Sequence, residues 1–395
     1  MKMFSITRDK NYRYINVFGK TLFKVMRSGA KKQQKIYKTL KSEKQLLTNG
    51  IGLQGFLNQK SGEAKICKSA IKSLENSNIN FDAIDIEGKN YSKYKTRIVF
   101  STSDYYKHKF YNNISVLFWE FEDGMEQVRP YAFKDINGVI TFSTFCAKYF
   151  KKIAPKGMKI MVLPYPVDVD LTKLTPKKEV RQKYGIKPSD FVFFFNFSYS
   201  SSYFRKNPEG TLDAFALAFP KHEKDVKLVI KTIGYDRHPN LVARLQKKIT
   251  EHGLEENVIL IDEKLTDNET YSLINICDVY ISLHRGEGFG LGMMEAMAMK
   301  KPVIATNYGG NTEFTKRDTA LLVDYTMVVP KELDLDAYKY VRKWPEPNIK
   351  TAAKHMRKLY DDKKLCHTIG NNGAKYIAKN FNSDKFNQAI KKMLI

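Results

Sequence analysis

The stretch Ser282-Leu-His-Arg-Gly-Glu-Gly-Phe-Gly-Leu-Gly-Met-Met-Glu295 constrains the fold of this chain more than any other. Gly286, Gly288, Gly290 and Gly292 separate the apolar, β-branched run Val279–His284 from the helix-forming run Leu291–Lys300. Strand, tight turn and helix in that order are the unit of an open α/β sheet. Glycines let the backbone bend sharply and approach a ligand, and the first amides of the following helix have no internal partner. A diphosphate fits such a turn, held by N–H groups and the positive helix end. Glu287 lies on the loop and Glu295 about one turn inside the helix, so the two carboxylates can accept hydrogen bonds from hydroxyls at opposite ends of one bound molecule. By itself the turn is also an ordinary strand-to-helix connection, and glutamates near a helix start favour its dipole. Lys301–Thr306 then reads as the next buried strand, followed by a Gly309-Gly310 turn.

The same alternation runs through the chain. Ile51–Leu57 reads as a strand, Gly62-Glu63-Ala64 as a turn, and the run through Ile66, Ile71 and Leu74 as a helix, which opens a nucleotide-type unit. Strands are expected at Phe81–Ile86, Ile98–Ser101, Ile114–Trp119, Gly138–Phe142 and Lys159–Leu163. Pro164-Tyr-Pro166 and the Pro/Lys-rich stretch to Lys187 read as a linker. Phe191–Phe197 opens a second half, continued by helix Pro208–Phe219, strand Val226–Lys231, helix Leu241–His252, strand Asn257–Ile261 and helix Asp267–Ile276. The expected class is α/β, with two Rossmann-like halves facing across a cleft. Residues 49–170 form the first domain and 171–380 the second, and a helical tail is long enough for 381–395 to cross back over the first.

A chain of 395 residues with 43% apolar content supports two domains with cores. The formal charge of +25 asks for an anionic partner. Residues 1–50 hold 13 Lys/Arg against Asp9 and Glu43, so 13 − 2 = +11 of it lies there. Residues 1–48 read as a basic extension of two or three short strands between Met3 and Met26, followed by a Lys-rich linker or helix over Ser28–Gln45. Nucleic acid and an anionic membrane surface are both compatible with this charge. Cys67, Cys146, Cys277 and Cys366 form no CxxC pair, so neither a zinc site nor a disulfide framework is indicated, and a reducing cytoplasm is the simplest location. No apolar run approaches the roughly 18 residues that span a bilayer, so membrane contact is expected to be peripheral. Asp168-Val-Asp170 forms a DxD, a pattern that elsewhere holds a divalent metal; here it follows a proline-rich turn in the linker.

The string at 279–311, with its Glu, seven residues and second Glu at Glu287 and Glu295, resembles the retaining glycosyltransferases of the glycogen-synthase-like, family-4 type. The likeness extends over about residues 51–385 and implies the GT-B architecture. It also implies transfer of a hexose from a UDP- or GDP-linked sugar to a glycan or lipid-linked acceptor, without a metal or other cofactor. The N-terminal segment resembles basic hairpin modules of some bacterial cell-surface polysaccharide transferases. By the same resemblance Glu287 faces the hexose, Glu295 takes the ribose hydroxyls, the backbone of Phe289, Gly290 and Leu291 meets the distal phosphate, and Gly288 belongs to the donor site. Gly62 lies in the first-domain loop that faces the cleft.

Arg205-Lys206-Asn207-Pro208 stands at a loop-to-helix junction, where two fixed cations stabilise a departing diphosphate or else cap a helix; Ser200, Ser201 and Ser202 stand where the family usually places the first cation. Lys231, at a strand's carboxyl end, is expected near the phosphates or base. On the acceptor side, Trp119 stacks on a sugar or belongs to the core, and Glu120 or Glu122 positions the acceptor or lies on the surface. Many relatives use a His in a comparable loop, but His108 lies upstream among Tyr105, Tyr106 and Lys107. Ser143-Thr144-Phe145 is expected to cap a helix. His284 and Arg285 touch a substrate or hold the strand end. The competing class is a non-catalytic basic module for nucleic acid or another polyanion, which leaves the glutamates and the glycine cradle unexplained. A phosphorylase-like activity would need a phosphate or cofactor site, and no lysine motif for pyridoxal phosphate is evident.

Overall fold

The computed structural model describes residues 4–8, 12–17, 20–26, 50–59, 61–86, 92, 94–100, 112–221 and 223–394. The expected helix or linker at Ser28–Gln45 and the residues around His108 lie outside these. Strands β1 (Phe4–Arg8), β2 (Tyr12–Val17) and β3 (Lys20–Met26) pair antiparallel in that order.

Two six-stranded parallel sheets follow. The first contains β4 (Ile51–Gly55), β5 (Phe81–Asp85), β6 (Thr96–Phe100), β7 (Asn112–Val116), β8 (Gly138–Thr141) and β9 (Lys159–Val162), in the order β5-β4-β6-β7-β8-β9. The second contains β10 (Phe191–Ser198), β11 (Val226–Ile233), β12 (Val258–Ile261), β13 (Val279–Ser282), β14 (Val303–Thr306) and β15 (Leu321–Val323), in the order β12-β11-β10-β13-β14-β15. Counted from its own first strand the second sheet runs 3-2-1-4-5-6, the Rossmann order, whose reversal point lies between β10 and β13. A parallel sheet covered on both faces demands continuous apolar strands. Phe191, Val192, Phe193, Phe194 and Phe195 of β10 are all buried between helices.

The helices of the first half include α1 (Gly62–Glu75), α2 (Met125–Val128) and α3 (Thr144–Ile153). Those of the second are α4 (Lys177–Lys183), α5 (Tyr203–Lys206), α6 (Pro208–Ala218), α7 (Pro239–Glu251), α8 (Asp267–Ile276) and α9 (Leu291–Ala298), then α10 (Ile349–Asp361), α11 (Lys363–Asn380) and α12 (Ser383–Leu394). Ser61 caps α1 by accepting a hydrogen bond from the Ala64 amide at 3.1 Å, and Ser143 caps α3 through the Cys146 amide at 3.2 Å. The terminal helix α12 packs on α1, burying Phe386 and Ile390, and the Asn387 side chain exchanges hydrogen bonds with Ser73. Phe289 of the second half packs against Phe142 and Tyr165 of the first, at centroid distances of 5.8 and 5.6 Å, so apolar packing continues across the domain junction.

One element was not anticipated. After β15 the chain forms an antiparallel hairpin of β16 (Tyr325–Val328) and β17 (Trp344–Pro347). Its strands lack an alternating apolar pattern, and Pro345 and Pro347 read against a strand; a two-stranded ribbon tolerates them because it is all edge.

Candidate active site

A cleft of about 620 Å3 opens between the halves at the reversal point of the second sheet. Ser61 and Gly62 at the start of α1, with Phe118 and Glu120 after β7, form one wall. Asn196 and Ser198 at the end of β10, Arg205 and Lys206 on α5, and the turn Glu287–Met293 form the other. The amino ends of α1 and α9 therefore approach each other across the cleft; a Cβ built on Gly62 would lie 3.8 Å from the Leu291 Cδ1.

Charge converges on Glu287. Lys206 Nζ lies 2.6 Å from its Oε2 and Arg205 Nη1 at 3.9 Å. Arg205, only 3% exposed, donates from Nη1 to the Gly286 carbonyl at 2.8 Å and from Nη2 to the Ser201 carbonyl at 2.6 Å, while its buried Nε has no hydrogen-bond partner. Burial by itself would raise the Glu287 carboxyl, but Lys206 and Arg205 outweigh it and hold the group down at about 2. Burial lowers Lys206 despite its partner. The result is an ionised carboxylate clamped beside two cations at the mouth of α9.

The turn geometry depends on its glycines at two places. Gly290 has φ +97°, a conformation that L side chains rarely adopt. A Cβ on Gly310 would sit 1.9 Å from the Gly288 carbonyl oxygen, because the Gly309-Gly310 turn lies directly against the signature loop; the Gly310 amide donates to the Glu287 carbonyl at 2.6 Å. The first half grips the same loop, since Ser143 Oγ donates to the Gly288 carbonyl at 3.1 Å.

The structure brings together Gly62, Glu120, Arg205, Lys206, Glu287, Gly288, Phe289, Gly290 and Leu291 in one cleft. Other candidates are placed differently. Trp119 is 1% exposed, donates from Nε1 to the Asp123 carbonyl at 2.7 Å and packs edge-on against Phe121 and Tyr338, so it is core and presents no stacking face. Glu122 opens onto a separate hollow with Thr144, Phe145 and Lys148. Glu295 is buried and turned to the first half, where Lys65 Nζ meets its Oε1 at 2.6 Å; the Tyr271 hydroxyl, from α8 of its own half, lies at 3.5 Å. Lys231 is buried within β11 and does not line the cleft. His284 is wholly buried between the Ser282 hydroxyl and the Tyr308 carbonyl, each at 3.0 Å, and burial lowers its pKa. Arg285 makes a two-armed pair with Glu346 at 2.7 and 2.8 Å. Asp168 pairs with Lys72 of α1 at 2.5 Å, and Asp170 caps a short turn through Thr172. No group of three or more His, Cys, Asp or Glu able to hold a metal occurs among the described residues.

Asn196, Ser198 and Arg237 also line the cleft and were not singled out from sequence. The first two sit at the carboxyl end of the central strand, where ligands of such sheets bind, so the strand assignment carried the signal.

Two sheets of this topology facing across a cleft are the GT-B fold of glycosyltransferases. Residues 176–328 match the family model described as Glycosyl transferases group 1. The solved structure of Anabaena HepE in complex with UDP and glucose shares the fold, with a TM-score of 0.63 at 16% identity over 88% of this chain and 99% of that one. A glycosyltransferase from Rickettsia africae gives 0.65 at 17% identity, over 88% and 98%. Among characterised sequences, the capsular polysaccharide biosynthesis glycosyltransferase CapM of Staphylococcus aureus is 27% identical over 165 residues, 39% of this chain and 37% of that protein. The serotype-specific mannosyltransferase WbdA of Escherichia coli is 29% identical over 105 residues, 26% of this chain and 12% of WbdA. The chain thus spans well under half the length of CapM and of WbdA.

Proposed function

We propose that the chain is a retaining glycosyltransferase that moves a hexose from a UDP- or GDP-linked donor to a glycan or lipid-linked glycan in cell-surface polysaccharide assembly. The observation that carries this reading is the Lys206–Glu287 pair, with Arg205 behind it, set at the amino end of α9 in a domain cleft. Breaking the bond from the anomeric carbon to the distal phosphate oxygen sends its electron pair to the phosphate. Arg205, Lys206 and the first amides of α9 stabilise that charge, and Glu287 supports the positive charge growing on the anomeric carbon. The acceptor oxygen forms the new bond on the same face, and its proton passes to the departing phosphate oxygen. Two fixed cations and a helix end supply the neutralisation a metal would give, so the reading is metal-independent.

The names of CapM and WbdA, and the UDP and glucose bound by HepE, support the donor and product classes. The +11 charge of residues 1–50 supports peripheral contact of residues 1–48 with an anionic membrane at the cytoplasmic face. The test is release of nucleoside diphosphate from UDP- and GDP-hexoses in the presence of EDTA and a glycan acceptor. Release by the wild type, lost in E287Q, together with an NMR-assigned product of retained anomeric configuration, supports the reading. Absence of release from any donor, or an inverted product, contradicts it.

A further inference from the structure

The short helix that carries Arg205 and Lys206 is held in an unfavourable backbone by a segment that the family match does not reach. Helix α5 is flanked by Ser202 at φ +77° and Asn207 at φ +57°, two of the four non-glycine residues with positive φ among those described. Such conformations persist only where the surroundings over-determine them. At the far end Asn207 is fixed from within the matched segment: its Nδ2 donates to the Leu283 carbonyl at 2.8 Å and its Oδ1 accepts from the Gly210 amide at 3.0 Å. At the near end the restraint comes from Asp334, more than 130 positions away. The Ser202 hydroxyl donates to its Oδ1 and the Tyr203 amide to its Oδ2, both at 2.5 Å, while the Arg205 amide donates back to Ser202 Oγ at 3.2 Å.

Asp334 stands in the excursion between β16 and β17, and the family match ends at residue 328. The same excursion is moored to the first half. Tyr338 packs edge-on against Trp119 and Phe121 at 5.7 and 5.0 Å and lies 5.7 Å from the Arg205 guanidinium, and Arg342 Nε meets Asp123 Oδ2 at 2.9 Å.

We propose that Asp334 is a positioning residue, which sets the Arg205–Lys206 pair for its anionic ligand by pinning Ser202 and the first turn of α5. The excursion at 329–343 is thereby a bracket: one end rests on the first domain and the other fixes the cations of the second. The ligand, a nucleoside diphosphate, rests on the function proposed above; the restraint itself does not.

The test compares wild type, D334A and D334N as full chains in two measurements. The first is hydrogen exchange of the backbone amides of Tyr203–Asn207, with those of β10 as an internal reference. D334A is expected to accelerate exchange in 203–207 and leave β10 unchanged, with D334N between the two; equal exchange in all three overturns the proposal. The second is calorimetric affinity for UDP, GDP and the matching monophosphates. D334A is expected to bind the diphosphate about tenfold more weakly, the scale of losing a helix cap, while the monophosphate changes far less. Equal loss for both nucleotides with faster exchange throughout the chain marks a merely structural role and overturns it as well. A wild type that binds no diphosphate rejects the functional reading, and the exchange measurement still decides the positioning role.

Discussion

Lys206 Nζ lies 2.6 Å from Glu287 Oε2, joining two residues 81 positions apart, and neither side chain is more than one-fifth exposed. A buried pair of this kind is expensive to break, because the remaining charge is left without its partner. It is also where the proposed donor phosphates meet the cleft.

E287Q and K206A are each expected to lower turnover by about 10²–10³-fold, the scale of removing one preorganised electrostatic group. Both variants should remain folded, with a drop in melting temperature that is larger for K206A, which leaves the buried Glu287 carboxylate beside Arg205 alone. Steady-state release of nucleoside diphosphate and circular dichroism check this together; near-normal turnover in both variants sinks the assignment.

The same pair makes a pH prediction. Glu287 is held at about 2 against an ordinary 4.5, so its folded state favours the ionised form. Its contribution to stability is present above pH 4.5 and is lost as the pH falls toward 2. The difference in unfolding free energy between wild type and E287Q should be widest above pH 4.5 and narrow on acidification. Denaturant titrations at several pH values test it, and a gap that widens in acid contradicts it.

Trp119 and Glu120 are neighbours with different expected fates. W119A removes a buried ring packed on Phe121 and Tyr338 and should cost about 3–5 kcal/mol of stability. E120Q, at the cleft wall, should leave stability within about 0.5 kcal/mol while changing acceptor KM. Chemical denaturation and acceptor kinetics separate the two outcomes.

Lys65 and Glu295 tie the halves together from inside. K65M strands a buried carboxylate and is expected to cost about 3–5 kcal/mol, most of which K65M/E295M should recover by replacing the pair with apolar packing. If Glu295 also meets the donor ribose when Lys65 releases it, the double variant regains stability but not nucleotide affinity. Recovery of neither stability nor affinity would show that the pair is not an isolated interaction.

Local pattern made much of this molecule legible. The continuous apolar run of β10, the strand-turn-helix at 279–298 and the glycines around Glu287 each declare themselves within a few residues, because hydrophobic periodicity and turn chemistry act over that range. The orientation of side chains did not. Glu295 sits one helical turn from the cleft, and only the packing of α1 against α9 turns it toward Lys65. Trp119 follows a strand and reads equally as wall or core until Tyr338 arrives from more than 200 positions downstream. The bracket at 329–343 left no local signal, since Asp334 finds its partners at Ser202 and Tyr203.

Calorimetric titration of wild type and K206A with UDP, GDP, ADP and CMP in EDTA tests the central claim most directly. The account predicts that at least one nucleoside diphosphate binds the wild type and that K206A loses most of that affinity, since the second phosphate is what the clamp recognises. Absence of diphosphate binding, or equal binding by the two proteins, would contradict it.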